Sequence, residues 1–121
     1  MSAVQIRQLD LTKSADRQTF QRAGDEVFRG DPAYVTPLRM VMNARLDPKK
    51  DPLHHHADVA LFVAEDEAGR LLGRISATVD RTWLDVWKDD TGHFGYFDTI
   101  DDEKVARALF AVAEAWIRER G

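Results

Sequence analysis

The stretch VALFVAEDEAGRLLGRISATV, Val59–Val79, decides how the chain folds. Its first six residues form a continuous apolar run, which is typical of a strand that is buried on both faces. The charged segment Glu65–Arg70 follows and contains Gly69, which can adopt the positive φ that a tight turn needs. Apolar residues resume at Leu71, so the pattern predicts a β-hairpin whose second strand ends at Val79.

The chain after the hairpin predicts a third strand and a long helix. Asp80–Gly92 is polar and is expected to be a long connection, whereas His93–Asp98 has the composition of a strand. A helix is expected over Asp101–Arg120, with Thr99 and Asp102 as a T-x-x-D capping pair at its N-terminal end. The apolar residues of this helix recur every three or four positions along one face: Val105, Leu109, Val112, Ala113 and Trp116.

The chain before the hairpin predicts one strand and two helices. Val4–Leu9 alternates apolar and polar residues, as a half-buried strand does. A helix is expected next, with Ser14 as its N-cap and Gly30–Pro32 closing it, and Pro37 is expected to open a short second helix. The predicted order is therefore β-α-α-β-β-β-α, an α+β chain with an antiparallel, hairpin-containing sheet flanked by helices.

Length and composition describe one small globular domain that covers residues 1–121. The 121 residues are 44% hydrophobic and 31% charged, which is enough for a single core. No apolar run could cross a bilayer and no secretory signal opens the chain, so we expect a cytoplasmic protein outside the membrane. The absence of cysteine excludes thiol catalysis. The net charge of −4, without a sustained basic run, argues against nucleic-acid binding.

The order of elements and several segments resemble the GNAT (Gcn5-related N-acetyltransferase) superfamily. LFVAEDEAGRLLGRISATV resembles its central hairpin, and ALFAVAEAWIRERG, Ala108–Gly121, resembles the long helix that follows its cofactor loop. GRISATVDRTW, GHFGYFDTIDD and AEAWIRERG are similar to a group of largely uncharacterised bacterial GNAT-like proteins. The resemblance implies a GNAT-like α/β domain without the usual C-terminal strands. We therefore expect the N-terminal portion of a longer protein, or a homo-oligomer in which another chain covers the unfinished sheet.

The resemblance also implies an activity, the transfer of an acyl group from acetyl-CoA or another acyl-CoA to an amine. The amine would attack the thioester directly, while backbone N–H groups of the third strand polarise the carbonyl. The superfamily's tyrosine general acid lies on a later strand, so no residue of this chain inherits that role, and Asp98 and Asp80 are the candidates for a base by position. Because the third strand and the next helix hold the cofactor in the superfamily, the resemblance implies six cofactor-binding residues: Tyr96, Phe97, Asp98, Thr99, Lys104 and Arg107.

The loop before the last helix departs from the superfamily's Q/R-x-x-G-x-G/A motif. Asp101 stands where Gln or Arg is expected and Lys104 stands at the first glycine, so only Ala106 agrees. The carboxylates of Asp101, Asp102 and Glu103 stabilise a helix N-terminus, but they would repel a pyrophosphate. The alternative interpretation is therefore a catalytically inactive GNAT-like module that binds a small ligand or another protein.

Two other clusters each have a structural and a functional interpretation. The consecutive histidines His54–His56 cannot all face one ion, so we expect a solvated or pocket-lining role and no metal site. An aromatic cluster is expected to pack in the core and on the faces of the sheet, or alternatively to line a substrate pocket or an oligomer contact. Gly95 within it indicates a β-bulge or a close backbone approach. The cluster consists of Trp83, Trp87, Phe94, Tyr96 and Phe97.

Overall fold

The computed structural model describes residues 4–33, 39–87 and 92–120, without the side chains of residues 39, 40, 52, 84, 85 and 87. Its four strands form one antiparallel sheet in the order β1-β2-β3-β4, which confirms the α+β class and the hairpin-containing sheet. The elements in chain order are β1 (Gln5–Leu9), α1 (Ser14–Val27), α2 (Arg39–Leu46), a 3-10 helix (Pro52–His55), β2 (Ala57–Glu65), β3 (Leu71–Asp80), α3 (Arg81–Trp87), β4 (His93–Thr99) and α4 (Glu103–Glu119).

The β2–β3 hairpin is the centre of the sheet, as the sequence predicts. Its turn is held by the Asp66 side chain, whose Oδ1 accepts hydrogen bonds of 2.9 Å from the backbone N–H groups of Ala68 and Arg70. Gly69 has a φ of 83°, which confirms the predicted positive φ in this turn. The hairpin register places Phe62 opposite Ile75, and alternate residues of both strands therefore face opposite sides of the sheet.

Each face of the sheet supports its own core. Helix α4 packs on one face, which we call the α4 face, and helix α1 packs on the other, the α1 face. The largest fully buried side chains of the α4 face are Ile75, Leu109 and Val105. Those of the α1 face are Phe20, Leu61 and Val63. Because both faces of β2 are covered, its continuous apolar run is explained by burial.

A buried arginine joins the first two helices. The guanidinium of Arg17 on α1 donates 2.6 Å to the backbone O of Leu11 and 2.9 Å to Oδ1 of Asn43 on α2. It also lies 3.6 Å from the carboxylate of Asp47, immediately after α2. These contacts fix the position of α2 over the α1 face. Pro37, which was predicted to open this helix, lies outside the described residues.

Three local predictions are wrong. Helix α4 begins at Glu103, two residues later than predicted. Its N-cap is Asp102, whose side chain accepts a hydrogen bond of 2.9 Å from the backbone N–H of Lys104. Thr99 does not cap the helix because it pairs with β3 as the last residue of β4. Ser14 is the first residue of α1, whose N-cap Lys13 makes no side-chain capping bond. The predicted polar connection contains helix α3, which Asp80 begins by accepting from the N–H groups of its first turn.

Candidate functional site

A β-bulge interrupts the pairing of β3 with β4 at Tyr96. Arg74 pairs with Asp98 and Ser76 pairs with Gly95, so two residues of β4 oppose the single residue between them on β3. Tyr96 has a φ of 48°, in the left-handed region that a tyrosine rarely adopts. The bulge indicated by Gly95 is therefore confirmed, with the strained residue one position later.

The bulge divides the aromatic side chains of β4 between the two faces of the sheet. Phe94 and Phe97 both contact Phe110 on α4, with ring centroids 5.2 and 4.5 Å away. Tyr96 lies on the α1 face, with its ring 5.8 Å from that of Phe20 in an edge-to-face arrangement. Burial in the core is wrong for Phe94, Tyr96 and Trp83, which are 58%, 40% and 38% exposed, whereas packing on the sheet faces is confirmed for Phe94 and Tyr96. The side chain of Trp87 lies outside the described residues.

The guanidinium of Arg74 connects the bulge to helix α1. Its Nε and Nη2 both lie 2.9 Å from Oδ2 of Asp98, and its Nη1 donates 3.2 Å to the backbone O of Phe20. It also lies over the Phe20 and Tyr96 rings, at 4.9 and 5.6 Å from their centroids. The side chains of Arg74 and Asp98 are only 11% and 20% exposed. Asp98 is thus engaged in a shielded ion pair, which does not suit a general base.

A cavity of about 400 Å³ opens on the α1 face beside Tyr96. Leu61 of β2 and the hydroxyl-bearing residues Ser76 and Thr78 of β3 line it, together with Tyr96 itself. Residues from α2 and from the 3-10 helix close the opposite side, and His54 is among them. The pocket-lining role predicted for this part of the histidine run is therefore confirmed. The cavity has the size and mixed lining that are typical of a small-molecule site.

The six residues expected to bind the cofactor do not form one cluster. Tyr96 and Asp98 face α1, Phe97 packs toward α4, and Lys104 is exposed on α4. Arg107 is exposed and forms an ion pair with Glu103, one helical turn earlier. The hydroxyl of Thr99 is buried and has no hydrogen-bond partner within the described ranges. Their role in binding a cofactor stays a prediction.

The sequence analysis missed a histidine–carboxylate pair at the end of the hairpin. Nδ1 of His56 lies 2.8 Å from Oδ1 of Asp80, because Ala57 and Asp80 are register partners. The hydrogen bond with His56 lowers the pKa of Asp80, burial opposes this, and the backbone N–H groups of Trp83 and Thr82 lower it further. Asp80 is therefore a weak candidate for a base. Within the described part of the chain, no group of three or more His, Asp or Glu side chains could hold a metal ion.

Two curated proteins are similar in sequence to this chain, whereas no family model matches it. Protein YghO of Escherichia coli (strain K12) is 37% identical over 106 residues, which is 88% of this chain and 27% of that protein. The bacterial ceramide synthase of Caulobacter vibrioides (strain NA1000 / CB15N) is 42% identical over 92 residues, 75% of this chain and 24% of that protein. The chain thus spans about a quarter of the length of these relatives.

A solved structure is similar to almost the whole chain. It is a tandem GNAT protein from the clavulanic acid biosynthesis pathway, determined without AcCoA. The TM-score is 0.68 at 15% sequence identity, and the match covers 98% of this chain and 34% of that chain. Among the described residues, no helix is both long and apolar enough to cross a membrane. The antiparallel sheet with its covering helices therefore has a GNAT-like fold.

Proposed function

We propose that this chain is a GNAT-like unit of an N-acyltransferase, which joins the acyl group of an acyl-CoA to an amine. The amine nitrogen attacks the thioester carbonyl carbon, so that a C–N bond forms, the C–S bond breaks and CoA leaves as its thiol. The nitrogen loses one proton, and the leaving thiolate gains one to become the thiol. The name of the Caulobacter relative, a ceramide synthase, also describes the formation of an amide.

The observation that carries this proposal is the bulge at Tyr96. Among the described strands β4 pairs only with β3, so its outer edge presents backbone N–H groups that could polarise a thioester carbonyl. The bulge lies on this edge strand and borders the cavity on the α1 face. An acyl thioester along β4 and an amine in the cavity would thus approach each other at Tyr96.

The N-terminus of α4 does not fit the pyrophosphate of CoA. The carboxylate of Asp102 already accepts the Lys104 N–H, and the exposed carboxylates of Asp101 and Glu103 add negative charge. We therefore place only the acyl-thioester end of acyl-CoA along β4 and assign no binding site to its pyrophosphate. The same acidic end is the observation that favours the second candidate function, a catalytically inactive GNAT-like module that binds a small ligand or a protein.

Calorimetric titration of the chain with acetyl-CoA and palmitoyl-CoA tests the first candidate. Saturable binding of an acyl-CoA is expected, and no binding up to millimolar concentration would overturn it. Replacing Asp101→Asn together with Glu103→Gln should tighten binding, because it removes two negative charges that repel the phosphates of CoA from the N-terminus of α4. The matched control is Glu114→Gln, which removes an exposed carboxylate from the middle of the same helix.

We further propose that a second copy of the chain, or another part of a longer protein, covers the outer edge of β4 away from the bulge, so that the backbone N–H groups at Tyr96 stay free for the thioester. An open edge strand readily pairs with another strand, and the exposed Phe94 extends the apolar surface beside it. Size-exclusion chromatography with light scattering tests the first option, and a stable monomer contradicts it.

The single-domain organisation of residues 1–121 and the cytoplasmic location remain predictions.

A further inference from the structure

We propose that the outer side of α2, with the segment that follows this helix, binds the surface of an anionic phospholipid bilayer. The residues of this surface, which we call the α2 surface, are Val41, Ala44, Arg45, Lys49, Lys50 and Leu53. The chain would lie on the bilayer and not cross it.

Helix α2 turns one side toward the protein and another side toward solvent. Leu46 is buried in the core of the α1 face, and Asn43 accepts a hydrogen bond from α1. Val41 and Arg45 are four residues apart and therefore share another side of the helix. Val41 is 47% exposed and lines, with Ala44, a shallow groove of about 470 Å³. The outward side of α2 therefore carries an aliphatic side chain that folding leaves half in water.

The 3-10 helix adds a second apolar side chain to the same surface. Asp51 caps this helix by accepting a hydrogen bond of 3.0 Å from the backbone N–H of Leu53, and Leu53 is 36% exposed. Arg45 and Asp51 are common neighbours of both apolar side chains, because they line the groove with Val41 and the cavity with Leu53. Val41 and Leu53 can therefore enter one apolar layer together.

Three cations accompany the apolar side chains. Arg45, Lys49 and Lys50 are exposed, and within the described ranges none of them forms an ion pair or a side-chain hydrogen bond. The nearby carboxylate of Asp47 lies 3.6 Å from the guanidinium of the buried arginine on α1. Asp51 contributes one negative charge, so the α2 surface is positive although the chain has a net charge of −4. Lipid phosphates complement this charge.

The composition of the α2 surface favours a bilayer over a protein partner. Protein interfaces are rich in aromatic anchors and poor in lysine, whereas this surface combines two lysines with small and aliphatic apolar residues. The long stems of lysine and arginine follow apolar surface while their charges stay among polar headgroups. Two aliphatic side chains with three cations are suited to weak, reversible binding at an anionic interface.

Flotation of the chain with lipid vesicles tests the proposal. Vesicles of phosphatidylcholine with phosphatidylglycerol should bind the chain at least about tenfold more tightly than vesicles of phosphatidylcholine alone, because each cation contributes about fivefold. The difference should shrink at about 1 M NaCl, which screens the phosphates. Equal binding to both kinds of vesicle, or no binding to either, overturns the proposal.

A pair of double variants tests the role of the lysines. Lys49→Gln with Lys50→Gln should weaken binding to the phosphatidylglycerol vesicles about ten- to thirtyfold. The matched control, Arg70→Gln with Arg118→Gln, removes two exposed cations from the hairpin turn and from α4, and should weaken binding less than about threefold. Equal losses in the two double variants would show that only the net charge matters, which contradicts a defined surface.

The apolar side chains need a separate variant. Val41→Ser with Leu53→Ser should weaken vesicle binding about tenfold, whereas Val86→Ser, at an exposed position on α3, should leave it unchanged. Unchanged melting temperatures show that the variants are folded. If the double variant keeps its vesicle binding but dissociates an oligomer of the chain in light scattering, the α2 surface is a contact between copies, and the proposal is overturned.

A single fluorescent label reports whether the α2 surface enters the bilayer, because the chain contains no cysteine of its own. A nitrobenzoxadiazole group on Ala44→Cys should shift its emission to the blue when phosphatidylglycerol vesicles are added. The same group on Ala68→Cys, in the exposed hairpin turn, should not. A shift of both labels or of neither contradicts the proposal. Vesicle binding requires no acyl-CoA, so its result is independent of the proposed acyl transfer.

Discussion

A Cβ atom added to Gly24 on α1 would lie 2.6 Å from the Cζ atom of Arg74 on β3. The guanidinium has little room to retreat, because Asp98 and the backbone O of Phe20 both bind it. Helix α1 can therefore approach the sheet at this point because residue 24 has no side chain. Arg74 can therefore lie buried against α1 only because residue 24 is a glycine.

Gly24→Ala should change stability with opposite signs in two backgrounds. In the parent chain it should lower the free energy of unfolding by about 1–3 kcal/mol, because the new methyl group displaces a bound guanidinium. In an Arg74→Ala background it should raise that free energy by about 0.5–1 kcal/mol, because alanine favours the helix more than glycine does. Urea denaturation of the four proteins measures both values. The same sign in both backgrounds would refute the steric explanation.

Arg74→Met should be much more destabilising than the same change at an exposed ion pair. It leaves Asp98 shielded without its partner, and we expect a loss of about 3–5 kcal/mol in the free energy of unfolding. Arg107→Met breaks the exposed pair with Glu103 and should cost less than about 1 kcal/mol. Thermal and urea unfolding of the two variants provide the comparison. Equal losses would show that the Arg74–Asp98 pair contributes no more than a surface contact.

Tyr96→Val should destabilise the chain more than Tyr96→Asn. Both changes remove the ring contact with Phe20, but valine is β-branched and adopts a positive φ far less readily than asparagine. The difference in the free energy of unfolding is expected to be about 1–2 kcal/mol. A chemical denaturation series of the two variants measures it. If valine is tolerated as well as asparagine, the backbone at residue 96 is not constrained to the left-handed region.

Asp80→Asn should reduce the loss of stability in acid. The folded-state pKa of Asp80 is lowered below its ordinary value of 3.8, so its contribution is present above pH 3.8 and is lost as the pH falls through the folded value. The parent chain should therefore lose more unfolding free energy than Asp80→Asn between pH 6 and pH 3, and the two curves should converge in strong acid. His56→Ala removes the hydrogen bond that is the main cause of the lowered pKa and should reduce the same difference. Parallel curves for parent and Asp80→Asn would contradict the assignment.

The sequence was sufficient for the elements that depend on local patterns. The hairpin followed from an apolar run, a charged turn and Gly69, and α4 followed from the helical spacing of its buried residues. Helix α3 could not be found in this way, because Asp80 begins it by binding two backbone N–H groups, and such a cap looks like an ordinary polar turn. The N-cap of α4 was misplaced since Thr99 and Asp102 are both good caps, and only the pairing of β4 decides between them.

The site depends on contacts between distant parts of the chain, and these have no local signal. Arg74 and Asp98 are 24 residues apart, as are His56 and Asp80, and strand register brings both pairs together. Gly95 did mark the bulge, but the positive φ falls on Tyr96, which has no sequence preference for it. The cavity needed the position of α2, which is set by Arg17 through contacts with Asn43 and Asp47.

The bulge at Tyr96 also shifts the alternation of side chains between the two faces of β4 by one residue. Phe94 before it and Phe97 after it both reach Phe110, although an uninterrupted strand would direct them to opposite faces. If the same residues alternated without the bulge, Asp98 would lie on the same face as Phe94, in the apolar core around Leu109 and away from Arg74. The bulge thus keeps the carboxylate of Asp98 beside the guanidinium of Arg74, where its charge is paired.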